Sequence, residues 1–196
     1  MIGAYELTRR AVPLPTRRLK DLCPMDVLSH PNAVLKQKAM PVDPTAEKDL
    51  MDLCRTMARA MYEAPGIGLA APQIGVLKRV IVYDLEDEGR VIALCNPEIV
   101  EHGDSIEIDD EGCLSLPGIT IPVERPSSVV CEALSLSGKP VRIEADGLHA
   151  RVLQHEVDHL DGVLILDRAT PEERKAALKR YREAQAAGAQ PGDTSI

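Results

Sequence analysis

The sequence predicts an α+β fold built on antiparallel sheets, and three observations carry that prediction. Strand-like runs gather in the middle of the chain, helical periodicity occupies both ends, and the segments between strands suit antiparallel pairing better than helical crossovers. At 196 residues, 44% hydrophobic and 28% charged, the chain suffices for one domain with a sizeable core.

Residues 1–24 stand apart as an N-terminal extension expected to be flexible. Arg9, Arg10, Arg17, Arg18 and Lys20 face only Glu6 and Asp21 there, and Pro13, Pro15 and Pro24 break any helix. An Arg-rich, acid-poor start is also the composition of an organelle transit sequence, but a plain extension is the simpler reading. From Thr45 to Ala64 the residues Leu50, Leu53, Cys54, Met57, Ala60 and Met61 recur at helical spacing. Asp43 or Thr45 is placed to cap that helix and Pro65-Gly66 to stop it. Residues 79–84 and 91–94 read as strands around the charged turn 86–90, and residues 128–135 and 140–144 as two more joined through Ser137-Gly138. Helical spacing returns from Leu148 to Leu160 and ends at Gly162. A last helix rich in Ala, Glu, Lys and Arg runs from Pro171 to about Ala187 behind a Thr170 cap. Residues 25–187 are thus expected to form a single catalytic domain, followed by a disordered tail, 188–196.

Composition narrows the function. Four Tyr, no Phe and no Trp leave few rings on which bases could stack, and a net charge of −8 does not suit phosphates or anionic membranes. No apolar run is long enough to span a bilayer. Five widely spaced cysteines with no secretory signal point to a reducing, cytoplasmic setting.

The strongest local signal is His155-Glu156-Val157-Asp158-His159. Histidines four apart on a helix lie one turn above each other and can converge on one metal ion, while Glu156 can reach a water held there and act as general base. The bland alternative, a solvated helix face, fits poorly with apolar Val152, Leu153, Val157 and Leu160 around it. Three routes to a third ligand can be weighed. Ile165 stands where a metzincin would place a third histidine, which excludes that family. A peptidase could use Glu172, Glu173 or Glu183, which lie in a strongly charged segment. The better candidate is Cys113, held between Gly112 and Leu114 in a Gly- and Pro-containing stretch and completing a His2Cys set with an open fourth position. A closed structural zinc site is a third reading, but it would leave Glu156 without a purpose.

Three blocks, Gly66-Ile-Gly-Leu-Ala-Ala-Pro-Gln73, Glu111-Gly-Cys-Leu-Ser-Leu-Pro117 and Gln154-His-Glu-Val-Asp-His-Leu-Asp-Gly162, together resemble the peptide deformylase family over about residues 25–170. The resemblance implies an α+β fold with the His-Glu-x-x-His helix at its centre, and an enzyme that removes the N-formyl group from the N-terminal methionine of new proteins. It implies Cys113, His155 and His159 as ligands of one divalent metal, Fe2+ by family habit with Zn2+ or Ni2+ able to substitute. It assigns Glu156 as acid/base, with Gln73 and the backbone N–H of Leu114 stabilising the oxyanion. Ile67, Gly68, Leu69, Leu148 and Val152 are implied around the methionine, and Arg125 near the substrate backbone. Glu111 reads, from its neighbourhood, as a group orienting the metal loop. The implied partners are N-formylmethionyl nascent chains near the ribosome, with no direct binding to nucleic acid or membrane. Asp109 and Asp110 depart from the family pattern, in which an aliphatic residue is common before the cysteine block.

Overall fold

The computed structural model describes residues 26–85 and 90–193. Two helices flank one sheet. The α1 helix (Leu50–Glu63) carries Leu50, Cys54, Met57, Ala58 and Met61 on one buried stripe, which lies on the sheet face formed by Val80, Val82, Ala93 and Cys95. The α2 helix (Gly147–Leu160) lies on the opposite face, where Val152, Leu153 and Leu160 meet Ile81, Leu94, Cys131 and Ile143. The strands are β1 (Gly68–Ala70), β2 (Val80–Tyr83), β3 (Ile92–His102), β6 (Ser128–Leu134) and β7 (Pro140–Asp146), antiparallel in the order β1-β2-β3-β6-β7. Because β2 is covered on both faces, its four residues are all apolar or aromatic and all buried, where a half-exposed strand would alternate.

The remaining strands, β4 (Ile106–Gly112) and β5 (Thr120–Pro126), form a separate antiparallel pair. Ile121 and Val123 of β5 pack in a third core with Leu116, Ile119, α3 (Ile165–Arg168) and α4 (Pro171–Ala186). These two strands were not expected from the sequence. Glu107, Asp109 and Asp110 hide the strand character of β4, and Pro122 and Pro126 count against a strand at β5. The first helix also starts later than its spacing indicates. The Asp43 side chain accepts from both Thr45 N and Oγ1 (2.9 and 2.7 Å), which closes a turn instead of capping a helix. At α4 the expected cap is present: Thr170 Oγ1 accepts from Glu173 N, and Glu173 Oε2 accepts from Thr170 N (3.0 Å).

The segment before α1 stitches these parts together. Leu28 N donates to Gln73 O, His30 N to Ser115 O and Ala39 N to Leu160 O. Tyr181 Oη of α4 donates to His30 O (2.7 Å). Cys54, Cys95 and Cys131 are free and buried, small hydrophobes as expected. Residues 1–24 lie outside the described residues. Within the tail, residues 188–193 turn back on the domain, with Gly192 so near the Ala64 carbonyl that a Cβ would lie 2.4 Å from its oxygen. No helix among the described residues is long and apolar enough to cross a membrane.

Leu94, with no exposed surface at the centre of the sheet, tests this packing. Leu94→Ala lowers stability by about 2–5 kcal/mol, read as a lower urea midpoint with unchanged slope.

Candidate metal centre

Helical geometry brings the two histidines together. His155 and His159, one turn apart on α2, place their Nε2 atoms 3.2 Å from each other. Cys113, just beyond the end of β4, brings its Sγ to 3.3 Å from His159 Nε2. Donor atoms of all three lie within 4.8 Å of one another, and all three residues are buried. A tetrahedral ion with bonds of about 2.0–2.3 Å needs donor separations of roughly 3.3–3.6 Å, so the set fits a metal of that kind. Among the described residues no fourth protein ligand joins it, which is the open arrangement of a catalytic site rather than a closed structural one.

The tautomers fit as well. His155 Nδ1 lies 3.0 Å from Glu111 Oε2, a bond that places the proton on Nδ1 and frees Nε2 as a ligand. Burial raises the Cys113 thiol to about 12 and lowers His159 well below its ordinary value. Both shifts oppose charge, and a divalent cation reverses them for the thiol by favouring thiolate. Glu156 completes the group. It is almost wholly buried, its Oε2 has no hydrogen-bond partner, and burial pushes its pKa well above the ordinary carboxylate value.

A narrow pocket at these atoms is lined by residues 66–68, by 112–114 at and just beyond the end of β4, and by Gln73, Val152, His155 and Glu156. Gln73 is oriented by Ala70 N, which donates to its Oε1 (2.8 Å), so that Nε2 faces Ser115 Oγ (3.3 Å) and Cys113 Sγ (3.9 Å). Gly68 has a steric reason: a Cβ there would sit 2.4 Å from Glu156 Oε1.

The structure gathers most sequence-predicted site residues at this pocket: Ile67, Gly68, Gln73, Cys113, Leu114, Val152, His155, Glu156 and, through its contact with Cys113, His159. Three lie elsewhere. Leu69 alternates to the other side of β1 and is buried in the α1 core. Leu148, one turn before Val152, stands 51% exposed at the start of α2 and is not part of the pocket wall. Arg125 is neither at the surface nor at the pocket. It is 4% exposed, with Nε and Nη2 on Glu111 (2.6 and 2.9 Å) and Nη1 on Asp158 Oδ2 (3.0 Å).

That network is what the sequence reading missed. Glu111 has no exposed surface and also accepts from Arg151 Nη1 (2.7 Å), while Arg168 bonds Asp158. Burial raises the Glu111 pKa, but the Arg125 hydrogen bonds and His155 outweigh it and hold the carboxyl well below the ordinary range. A signal existed: Arg151, His155 and Asp158 are spaced i, i+4, i+7 and share one helix face. The glutamates considered as alternative ligands are on α4, where all three are exposed and Glu173 is committed to the cap.

Comparison with known proteins gives one family. The model for polypeptide deformylase matches residues 24–175. The peptide deformylase of Thermodesulfovibrio yellowstonii is 45% identical over 161 residues, 81% of this chain and 96% of that protein. That of Dictyoglomus thermophilum is 49% identical over 146 residues, 74% and 93% respectively. Among solved structures, a peptide deformylase from Legionella pneumophila superposes with a TM-score of 0.78 at 40% identity, covering 84% of this chain and 97% of that one. One from Synechococcus elongatus, in complex with actinonin, gives 0.76 at 42% identity, covering 81% and 86%.

Two outcomes follow from the geometry. Cys113→Ala loses bound metal, measured by elemental analysis of the purified protein, where a glutamate-ligated site would keep it. Glu111→Gln costs about 3–5 kcal/mol at pH 7 by breaking a buried ion network. Because the folded pKa of Glu111 lies below the unfolded one, its contribution is full above the ordinary value of 4.5 and is lost as pH falls. Urea unfolding therefore shows the gap between wild type and variant narrowing below that pH; a constant gap would assign the loss to shape rather than charge.

Proposed function

The chain belongs to the peptide deformylase family, metal-dependent hydrolases that remove the formyl group from the N-terminal methionine of nascent proteins, and we propose how its own residues divide that work. The observation that supports the division most is the convergence, at one narrow pocket, of three soft-to-intermediate donors, an unpartnered buried carboxylate and a fixed amide N–H. Cys113, His155 and His159 hold the metal, which when bound supplies Lewis-acid polarisation and a water of lowered pKa. Ferrous iron is the assigned ion, with zinc or nickel able to replace it, since imidazole and thiolate together suit all three.

Glu156 handles the proton. Its Oε2 accepts a proton from the water that attacks the formyl carbon and returns it to the departing amine, a role for which a raised pKa is matched. Gln73 Nε2 and the Leu114 N–H donate to the oxygen as it gains charge. The formyl group carries only hydrogen beyond its carbonyl, so a narrow pocket admits it and turns away acetyl or peptide carbonyls. Ile67 and Val152 offer the methionine side chain an apolar wall, with Gly68 giving the main chain room to approach. The backbone of the substrate lies between the open edges of β1 and β4. Residues 25–187 constitute the single catalytic domain of this proposal, acting in the cytoplasm near the ribosome, where formylated chains emerge.

The test is formate release from formyl-Met-Ala-Ser by protein loaded anaerobically with iron or reconstituted with nickel. Wild type releases formate, and Glu156→Ala lowers kcat by about 10²–10⁴ with little change in KM. Gln73→Leu lowers kcat by about 10²–10³. No formate from wild type with metal verified as bound would refute the assignment.

A further inference from the structure

β4 leaves the pocket as an open strand edge. Gly112 at its end lines the pocket, and the strand back to Ile106 is paired, among the described residues, only with β5. The prolines of β5 fix which peptide groups remain free. Pro122 and Pro126 have no N–H to give, so Asp110–Pro122 and Ile106–Pro126 are the non-hydrogen-bonded pairs. The peptide groups of Ile106, Ile108, Asp110 and Gly112 then point away from β5. The Asp110 N–H agrees with this phase, since it is taken by Asp109 Oδ1 (2.9 Å) and not by the ladder.

This edge is acidic. Glu107, Asp109 and Asp110 are exposed along it beside Ile106 and Ile108, and none of the three carboxylates forms an ion pair among the described residues. A substrate with its methionine in the pocket runs from Gly112 toward Ile106, antiparallel to β4. At about 3.4 Å per residue the seven residues of β4 accompany roughly the first six residues of the peptide.

We propose that the Glu107, Asp109 and Asp110 edge of β4 makes this enzyme selective for formyl-methionyl chains carrying Lys or Arg at about the third to fifth positions, and biased against chains acidic there. This rests on the deformylase reading above. Continuity with the pocket selects the occupant, and unpaired carboxylates along an open edge select its charge. The simpler role of such charges, to keep an exposed edge from pairing with other sheets, predicts no preference among substrates.

The experiment compares kcat/KM of the metal-loaded enzyme on formyl-Met-Ala-Lys-Lys-Lys-amide, formyl-Met-Ala-Glu-Glu-Glu-amide and formyl-Met-Ala-Ser. A lysine-to-glutamate preference of about three- to tenfold is expected at low salt. It falls toward one at about 1 M salt, where the screening length is about 3 Å, and toward one in the D109N/D110N double variant at low salt. A ratio near one in wild type at low salt overturns the proposal, as does a preference that D109N/D110N leaves unchanged. Formate from none of the three peptides overturns instead the reading on which it rests.

Discussion

A single carboxylate organises the site. Glu111 has no exposed surface and accepts four hydrogen bonds, from Arg125 Nε and Nη2, Arg151 Nη1 and His155 Nδ1. An unpaired carboxylate at that depth would be too costly to keep ionised, so the donors and the acceptor require one another. The bonds cross between elements that are distant in sequence. Glu111 and Arg125 belong to the β4–β5 pair, while His155, Arg151 and Asp158 belong to α2. Two strands alone have little stability of their own. Here they are fastened by charge to the helix that carries the histidines, and Arg151 adds bonds to the carbonyls of Val123 and Glu107. Because Cys113 follows β4 directly, the same fastening sets the distance between the thiol and the two imidazoles.

The centre of this chemistry was legible in the sequence because its spacing is local. His155, Glu156 and His159 are fixed relative to one another by helical geometry alone, and Cys113 was marked by its Gly- and Leu-flanked setting. The elements that give a strong periodic signal, α1, α2, α4, β2, β6 and β7, were legible for the same reason. What escaped depends on contacts between distant segments. The β4 and β5 strands carry acids and prolines that propensity counts against them, and their pairing is supported by an ion network that no window of residues displays. Arg125 has no sequence mark of depth, and its place behind the histidines arises from Glu111 fourteen positions earlier. Leu69 and Leu148, which the family resemblance nominated beside the methionine, are not among the residues lining the pocket. Strand alternation turns Leu69 to the α1 side, and Leu148 sits at the exposed start of its helix.

The core shows how an aromatic-poor chain closes around such a site. Without Phe or Trp, the sheet is sandwiched by Leu, Ile, Val, Met and Ala on two helices, with three buried thiols filling small gaps. Tyr83 and Tyr181, the buried aromatics of the described residues, each have a hydroxyl partner, His149 Nε2 and His30 O respectively. The flexible unbranched side chains of Met57 and Met61 lie between α1 and the sheet, on the face opposite α2. The rigid, charge-fastened packing is concentrated on the other face of the sheet, where sub-ångström placement of donors matters.

The stitches made by residues 28–40 bear on how this molecule comes into being. Ala39 bonds to Leu160, His30 receives Tyr181, and the three metal-binding residues come from positions 113, 155 and 159. Several contacts of the early segment join it to residues synthesised more than a hundred positions later, Ala39 to Leu160, His30 to Tyr181 and Lys36 to Asp167 among them. During translation these contacts have to wait until α2 and α4 have left the ribosome, although α1 can already pack on β2 and β3. An enzyme whose substrates are chains only begun becomes an enzyme only when its own chain is almost complete.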